Sequence, residues 1–385
     1  MRDVRRANRA SLLTDLFHGG RQSRQRLGDT TALSSASVSN LIAEMIDEGL
    51  VEEAGLADSD GGRPRALLRV APGYACVVGA EVGETRVLVE LYDLAMSRLG
   101  VASYDLGDGG RGPDLVAAAL LEGLGAVIDQ AGVDDGEVLG FGVGVAGVVD
   151  GTADAVVYSQ TTGWDGIPLG AMLRAGTEVP IFVENGAKAA GQAEMWFGAG
   201  RGTRHAVIVM VGTGVGAAVV GGANSNAGEW GHTTLVYDGD ACRCGARGCL
   251  EAYIGAEKVI SRLAAATGGP ADPMLLTRML AADGPIDGAA AEILAETVGY
   301  LGAGIAGLVN LFSPERIVLG GPAGLALGER FLPDIRAAAA RNALRHPYSR
   351  TRIDLCQLGP DAVAMGAATL PIARLLADGG LPAVF

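Results

Sequence analysis

The sequence predicts a chain of two parts, a small helical head with a β-hairpin at residues 1–72 and an α/β body of two lobes at residues 73–385. Three observations lead to this prediction. Apolar side chains recur at helical spacing through the N-terminal residues and stop at Gly49. Two hairpin patterns that contain glycine, at 75–92 and 206–220, recur about 130 residues apart and indicate two related lobes with a cleft between them. Hydrophobic residues make up 49% of the chain and aromatic residues only 5%, which suits an α/β core.

The distribution of charge separates the head from the body. The net charge is −14, yet residues 1–72 carry ten arginines and ten acidic residues, so the body carries the whole excess. Residues 1–26 hold seven arginines and two acidic residues, a pattern typical of a DNA-binding head on an acidic body. No apolar run reaches the ~20 residues of a membrane helix, and Asp15 interrupts the apolar stretch after the basic start. We therefore expect a cytoplasmic protein without a membrane partner.

Three helices are predicted in the head. The first covers residues 4–17, ends at Gly19-Gly20, and buries four apolar side chains, Ala7, Leu12, Leu13 and Leu16. Ser23 caps a short second helix that runs to Thr31. The third helix begins at Ser34, and its apolar face carries Val38, Leu41, Ile42, Met45 and Ile46.

Three helices followed by a β-hairpin are the plan of a winged helix-turn-helix. The third helix offers short hydrogen-bonding side chains for base edges and phosphates: Ser35, Ser37, Ser39 and Asn40. The wing is predicted at residues 50–70, with Arg63 or Arg65 near its tip and able to enter a narrow minor groove. The alternative is a helical domain that binds another protein.

A cluster of sulfur and nitrogen ligands lies in the second half of the chain. Three of the five cysteines, Cys242, Cys244 and Cys249, fall within eight residues, and His232 precedes them by ten. Zn²⁺ takes four such ligands in a tetrahedron, so the pattern predicts one structural zinc per chain. Three buried thiols with an unrelated histidine, or a disulfide between Cys242 and Cys249, are the alternatives.

Two glutamates flank this cluster. Glu229 and Glu251 would be held near one spot, with His232 between them. Two carboxylates and an imidazole that converge on a pocket can accept hydrogen bonds from several hydroxyls at once, as a sugar requires. Alternatively, both glutamates are solvated surface charges.

The same residues carry a family resemblance. The stretches Gly228-Glu229-x-Gly231-His232 and Cys242-x-Cys244-Gly245-x-x-Gly248-Cys249-Leu250-Glu251 resemble the signature of the ROK family, which includes sugar kinases and sugar-responsive repressors. The resemblance implies an actin-like (ribonuclease H-like) fold of two lobes. The first covers about residues 73–186 and includes the C-terminal helix, and the second covers about residues 187–365. It also implies sugar contacts from Asn185, Glu229, His232 and Glu251, beside a turn that contains Gly147. The stretch from Gly20 to Arg65 resembles the head of ROK repressors, which the kinases of the family lack.

Two substitutions argue against phosphoryl transfer. By resemblance, the first phosphate hairpin has Glu84 where a glycine is expected, and a carboxylate there would repel a phosphate. Gly186 stands where the family has its catalytic aspartate, so the side chain that would accept the proton is missing. The second hairpin, Gly212–Gly216, is intact. We therefore expect a protein that is not an enzyme.

Lys188 raises the question of a charged effector. Gly186 removes negative charge where a terminal hydroxyl of the sugar would point, and Lys188 adds positive charge two residues later. A sugar phosphate is one hypothesis; a plain sugar, with Lys188 facing solvent, is the other.

The sequence thus predicts a sugar-responsive transcriptional regulator, a repressor of carbohydrate-utilisation genes that binds double-stranded operator DNA as a homodimer or dimer of dimers. An ATP-dependent sugar kinase that retains a DNA-binding head is the alternative. A sugar-sensing adaptor that binds protein through its head is a third reading.

Overall fold

The head combines three helices with a three-stranded sheet. The computed structural model describes residues 2–57, 65–107, 112–221 and 226–381. In the head the elements are α1 (Arg2–Gly19), β1 (Gln22–Ser23), α2 (Arg24–Thr31), α3 (Ser35–Asp47), β2 (Val51–Ala57) and β3 (Arg65–Val70). The strand order is β1-β3-β2, and both pairings are antiparallel. This arrangement is a winged helix-turn-helix, as predicted.

Serine caps set the starts of α2 and α3, the predicted cap at Ser23 and a second cap at Ser34. The Ser23 hydroxyl accepts a hydrogen bond from the Arg26 amide at 3.3 Å, and the Ser34 hydroxyl accepts one from the Ser37 amide at 3.2 Å. The apolar face of α3 then packs against α1 in one core, which contains Leu12, Leu13, Leu16, Val38, Leu41, Ile42 and Met45.

The buried face of α1 differs from the prediction at Ala7. Ala7 is exposed, whereas Arg9 is only 2% exposed. Residues 9, 12, 13 and 16 share one face at helical spacing, and Ala7 lies nearly opposite to Arg9. The Arg9 guanidinium donates to Glu48 Oε1 at 3.0 Å and to the Gly379 carbonyl at 2.9 Å, so a paired charge occupies a place in the core.

The two lobes of the body are built on sheets of the same topology. In the first lobe the strands are β4 (Cys76–Val82), β5 (Arg86–Asp93), β6 (Arg98–Asp105), β7 (Val138–Val145) and β11 (Ile181–Asn185). In the second they are β12 (Ala206–Val211), β13 (Val215–Val220), β14 (Asn226–Gly228), β15 (Arg316–Gly320) and β16 (Arg352–Leu355). Each sheet has an antiparallel meander of three strands and two parallel strands beyond its first strand, in the orders β6-β5-β4-β7-β11 and β14-β13-β12-β15-β16. This repeat confirms the predicted actin-like, two-lobed fold.

Helices and one small sheet complete the body. The sheet consists of β8 (Val148–Val149), β9 (Val156–Ser159) and β10 (Trp164–Pro168). The helices are α4 (Pro113–Ala131), α5 (Leu169–Arg174), α6 (Gly186–Phe197), α7 (Glu251–Ile254), α8 (Ala256–Thr267), α9 (Leu275–Ala281), α10 (Gly288–Phe312), α11 (Pro322–Asn342), α12 (Arg345–Arg350) and α13 (Ala362–Ala377). Short 3₁₀ turns lie at Pro72–Tyr74, Asp135–Glu137 and Trp230–His232.

Helix α10 is long and apolar enough to cross a membrane by length and composition, and no other described helix is. From the sequence alone we expected no apolar run long enough for a membrane helix. In the fold α10 is a core helix, because its side chains Leu301, Ile305 and Val309 are fully buried in the second lobe.

Helices α6 and α13 form the layer between the two sheets. Helix α13 packs on β4, β7 and α6, and α6 packs on β12 and β13. The two helices cross closely at Gly366, where an added Cβ would lie 2.0 Å from the Ala189 carbonyl oxygen. Gln192 of α6 also donates to the Thr369 hydroxyl of α13 at 2.8 Å. The lobes are therefore joined through a helix crossing that has no room for a larger residue.

We predict that Gly366→Ala destabilises the protein, because the methyl group must force α6 and α13 apart. The expected loss in the free energy of unfolding is about 1–3 kcal/mol or more, measured by urea unfolding. The matched control is Gly299→Ala in α10, where an added Cβ meets nothing within 4 Å. Because alanine favours helices over glycine by up to about 1 kcal/mol, the control should be neutral or stabilising. Equal stability of the two variants would contradict the tight crossing.

Candidate functional site

A cavity of about 300 Å³ opens between the two lobes. Its walls are the β4–β5 turn of the first lobe, the β12–β13 turn of the second lobe, and the N-terminal ends of α6 and α13. All five residues that the sequence assigned to the sugar line this cleft: Gly147, Asn185, Glu229, His232 and Glu251. Residues from distant parts of the chain thus meet at one place.

Asn185 is fixed from two sides at the start of α6. Its Oδ1 accepts from the Lys188 amide at 3.1 Å, and its Nδ2 donates to the Gly147 carbonyl at 2.7 Å. Gly147 has φ +107°, and an added Cβ would lie 2.2 Å from the Tyr158 carbonyl oxygen, so glycine is required there. Gly147 therefore contributes its backbone, which orients the Asn185 amide in the cleft.

Glu251 brings a buried carboxylate to the cleft. The residue is 5% exposed, and its Oε2 accepts from the Val215 amide at 2.9 Å. Its Oε1 lies 3.2 Å from Arg243 Nε but makes no hydrogen bond with the described residues. This oxygen has an ionic neighbour but keeps its capacity to accept a hydrogen bond. A donor from a ligand, such as a hydroxyl, would satisfy this oxygen.

His232 stands between the thiols and the carboxylates. Its Nδ1 lies 3.5 Å from Cys242 Sγ, and its Nε2 lies 4.0 Å from both Glu229 Oε2 and Glu251 Oε1. One ring nitrogen can thus serve a metal while the other faces the cleft. Burial raises the pKa of the Glu229 carboxyl above its usual range, although the charge of His232 opposes this shift.

The predicted metal ligands converge. The ligand atoms of His232, Cys242, Cys244 and Cys249 all lie within 4.8 Å of one another, and the sulfurs of Cys244 and Cys249 are 3.7 Å apart. Tetrahedral Zn²⁺ with Zn–S bonds of about 2.3 Å would place two sulfurs about 3.8 Å apart. All five cysteines are free thiols, so the disulfide alternative is not formed. The four side chains could hold a metal ion.

A tight backbone knuckle presents these ligands. Gly248 has φ +73°, and an added Cβ would lie 1.6 Å from the Val236 carbonyl oxygen, so only glycine lets the chain fold back before Cys249. Burial, with the neighbouring thiols, raises the pKa of Cys249 to about 12. A bound cation would therefore be needed to hold this group as the thiolate.

The sequence-based reading missed Arg243. This residue lies between two of the predicted metal ligands, and its guanidinium reaches both lobes. It contacts Glu84 Oε1 at 3.2 Å in the β4–β5 turn, Glu251 Oε1 at 3.2 Å and Glu257 Oε2 at 2.9 Å. Glu84 is thus ion-paired, whereas the sequence suggested a bare repelling carboxylate. An arginine between two cysteines was visible in the sequence, but nothing local indicated its partners.

The structure bears on the two alternatives for Lys188. The Lys188 ammonium, on the first turn of α6, pairs with Glu184 of β11, and Lys188 does not line the cleft. Gly186 does line it, and an added Cβ there would lie 3.4 Å from Val363, a normal contact. The Lys188 charge on which the sugar-phosphate hypothesis was based is therefore directed elsewhere.

The predicted DNA-contacting residues lie on the head. Ser35, Ser39 and Asn40 are exposed on α3, while the Ser37 hydroxyl lies 2.9 Å from the Ser34 hydroxyl in the cap. Arg65 is exposed at the start of β3, and Arg63 lies outside the described residues. Part of the N-terminal positive charge is neutralised within the protein, because Arg5, Arg6 and Arg9 pair with Glu44, Asp378 and Glu48.

A winged helix-turn-helix joined to a two-lobed, kinase-like body with a polar cleft defines a DNA-binding regulator that responds to a small ligand. A sequence profile of the ROK family matches residues 77–374. The chain therefore belongs to the ROK family.

Regulators of the family match nearly the whole chain, whereas a kinase of the family matches a smaller part of it. The chain is 25% identical to the xylose repressor of Caldicellulosiruptor bescii over 97% of each chain. It resembles the crystal structure of a ROK family transcriptional regulator, a homologue of the E. coli MLC protein, with a TM-score of 0.78 and 25% identity over 98% of each chain. A ROK family glucokinase from Streptomyces griseus, solved with glucose and AMPPNP, has a TM-score of 0.67 and 26% identity, covering 77% of this chain and 99% of its own. The chain is a sugar-responsive transcriptional regulator of the ROK type.

We predict that Cys244→Ala abolishes metal binding, because three ligands cannot close the tetrahedral site. Plasma emission spectrometry of the purified protein should find about one metal ion per wild-type chain and almost none in the variant. The control is Cys76→Ala, a buried cysteine of β4 outside the cluster, which should keep the metal. A full metal content in Cys244→Ala would contradict the assignment of the ligands.

Proposed function

We propose that a neutral sugar binds in the cleft between Asn185, Glu229, His232 and Glu251 and thereby releases the head from operator DNA. The observation that carries this proposal is Glu251 Oε1, a buried acceptor at the cleft without a hydrogen bond from the described residues. Zn²⁺ bound by Cys242, Cys244, Cys249 and His232 Nδ1 would hold the imidazole in place, so that Nε2 faces the sugar.

The charge of the cleft favours an unphosphorylated ligand. Glu84, Glu229 and Glu251 line it, and the guanidinium of Arg243 is already shared among three carboxylates. A phosphate group would meet net negative charge, because the lining Arg86 is paired with Asp361 and Lys188 is paired with Glu184. A neutral aldose fits this arrangement better than a sugar phosphate. Xylose is the first candidate because a full-length relative is a xylose repressor, and glucose is the second because the glucokinase neighbour was solved with it.

The cleft is proposed to bind sugar without phosphorylating it. Gly186 offers no side-chain proton acceptor at the start of α6, and Glu84 with its partner Arg243 stands at the turn that would receive phosphate. The kinase alternative predicts ATP consumption that depends on sugar, whereas the regulator proposal predicts none.

Helices α6 and α13 offer a path from the cleft to the head. Both begin at the cleft, where Gly186 and Val363 are among its lining residues. At its other end, α6 places Trp196 against Phe17 and His18 of α1, with ring centroids 5.5 and 4.8 Å apart.

Helix α13 ends at the same head helix. Arg6 of α1 pairs with Asp378, and Arg9 donates to the Gly379 carbonyl at 2.9 Å. A sugar that shifts the start of either helix would therefore move the surface of the body on which α1 packs. The ligand can bias the head only by its different affinity for the two arrangements.

The reading of DNA is proposed to require two heads. Ser35, Ser39 and Asn40 of α3, with Arg65 of the wing, are the proposed contacts in each head. A homodimer or a dimer of dimers would match a two-fold repeated operator. This function would place the chain in the cytoplasm with its DNA.

We predict that Glu251→Gln weakens sugar binding about tenfold or more, because a charged acceptor is replaced by a neutral amide. Isothermal titration with xylose, glucose and their phosphates measures the effect and identifies the ligand. Glu292→Gln on the exposed face of α10 is the control and should bind as the wild type does. Equal affinity of the Glu251 variant would overturn the proposed contacts, and tighter binding of the phosphates would overturn the neutral ligand.

A coupled ATP assay in the same samples tests the kinase alternative.

We also predict that Trp196→Ala keeps the sugar affinity but weakens the release of DNA by sugar, because α6 no longer contacts α1 through its aromatic end and only α13 still does. Fluorescence anisotropy on operator DNA, with and without sugar, measures this uncoupling. Trp196→Phe should restore part of the response, and Tyr237→Ala, at a residue 95% exposed, is the control. Normal release of DNA from the Trp196→Ala variant would argue against this path.

A further inference from the structure

One guanidinium spans the cleft. Arg243 belongs to the second lobe, where its Nε contacts Glu251 Oε1 and its Nη2 contacts Glu257 Oε2. Its Nη1 donates to Glu84 Oε1 at 3.2 Å, and Glu84 belongs to the β4–β5 turn of the first lobe. The ion pair is poorly exposed, with 25% of the Arg243 side chain and 12% of the Glu84 side chain accessible. Solvent screens such a pair less than it screens a pair on the open surface.

The pair lies between the two glycine-containing turns of the lobes, β4–β5 and β12–β13. By the family resemblance, these are the hairpins between which a kinase would hold phosphate. Arg243 connects the same two turns, because its Nη2 also donates to the Thr213 carbonyl of the β12–β13 turn at 3.2 Å. The protein thus joins the two turns with its own side chains.

The backbone of Arg243 is held in place by its neighbours. Cys242 and Cys244, two of the four clustered ligand residues, flank it directly. The Cys242 amide donates to the Ala246 carbonyl at 2.9 Å, and the Gly245 amide donates to the Cys242 carbonyl at 3.0 Å. A fixed backbone lowers the entropy that the long side chain loses when it reaches across the cleft.

We propose that Arg243 is a positioning residue that ties the first lobe, through Glu84, to the sugar-binding carboxylate Glu251. The tie favours the closed arrangement of the lobes, in which Asn185 of the first lobe and Glu251 of the second face the same ligand. The inference deepens the proposed sugar binding and rests on it for its effect on affinity. Its effect on lobe closure is independent of any ligand.

Removing the charge of Glu84 isolates the contact between the lobes. In Glu84→Gln the guanidinium keeps Glu251 and Glu257 as partners, so no buried charge is left unpaired. The closed arrangement should become less populated, and the apparent sugar affinity falls by the same factor. We expect about a fivefold loss of affinity, at the upper end of what partly exposed ion pairs contribute.

The matched control removes another carboxylate from the same guanidinium. Glu257 lies in the second lobe and is 71% exposed, so Glu257→Gln does not change the contact between the lobes. Its sugar affinity should stay within about twofold of the wild type, because an exposed pair contributes little. An equal loss in both variants would mean that Arg243 acts only through its charge balance, which would overturn the proposal.

Two measurements test the tie. Hydrogen exchange without sugar should show faster exchange of the amides at residues 212–215 in Glu84→Gln but not in Glu257→Gln. Titration calorimetry should then show the fivefold loss of sugar affinity. Arg243→Lys should show a similar loss, because an ammonium cannot make all the contacts of the forked guanidinium. In the double variant Glu84→Gln with Arg243→Lys, the first substitution should add nothing further.

The outcomes separate this inference from the proposed function. Unchanged exchange in Glu84→Gln, or additive losses in the double variant, would overturn the tie even if the wild type binds sugar. A wild type that binds no sugar would overturn the proposed function, while the exchange experiment would still decide whether Arg243 holds the lobes together.

Discussion

The crossing of α6 and α13 is the constraint on which the cleft, the lobes and the head all depend. The helices approach so closely at Gly366 that a single methyl group has no space. Gly79 and Gly142 likewise let the adjacent strands β4 and β7 lie directly against α13. Because the pair is this compact, it forms one closely packed layer between the sheets. The same layer begins at the cleft and ends at α1. The packing that joins the lobes therefore also fixes the position of the head.

The proposed function is that of a kinase-like body that serves binding alone. Chemistry on a sugar hydroxyl needs a positioned base and a place for phosphate, and by the family resemblance Gly186 and Glu84 stand where these would be. What this chain has is an acceptor set around His232 and an arginine that pairs across the lobes. Binding energy that a kinase would use in the transition state is available here to shift the population of lobe arrangements.

Much of the fold was predictable from local patterns. Three patterns indicated the winged head and the paired lobes: the cap at Ser23, the recurrence of glycine hairpins, and the helical spacing of Val38, Leu41, Ile42 and Met45. The prediction for Ala7 was wrong, and the sugar-phosphate hypothesis for Lys188 lost its support, for one shared reason. The direction of each side chain is decided by its neighbours in the fold. For Ala7 it is decided by how α1 packs on the body, and for Lys188 by the Glu184 carboxylate.

The sequence by itself determined the local chemistry: which segments form helices and strands, which four residues could bind a metal, and which carboxylates belong to the same spot as His232. These features depend on residue type and short spacing, and a reader of the chain can count both. Only the tertiary structure decided that Arg243 meets Glu84 across 159 positions and that Arg9 reaches the Gly379 carbonyl across 370. Such partners depend on how whole elements pack, because side chains far apart in sequence meet only after the sheets and helices have set their distance and direction.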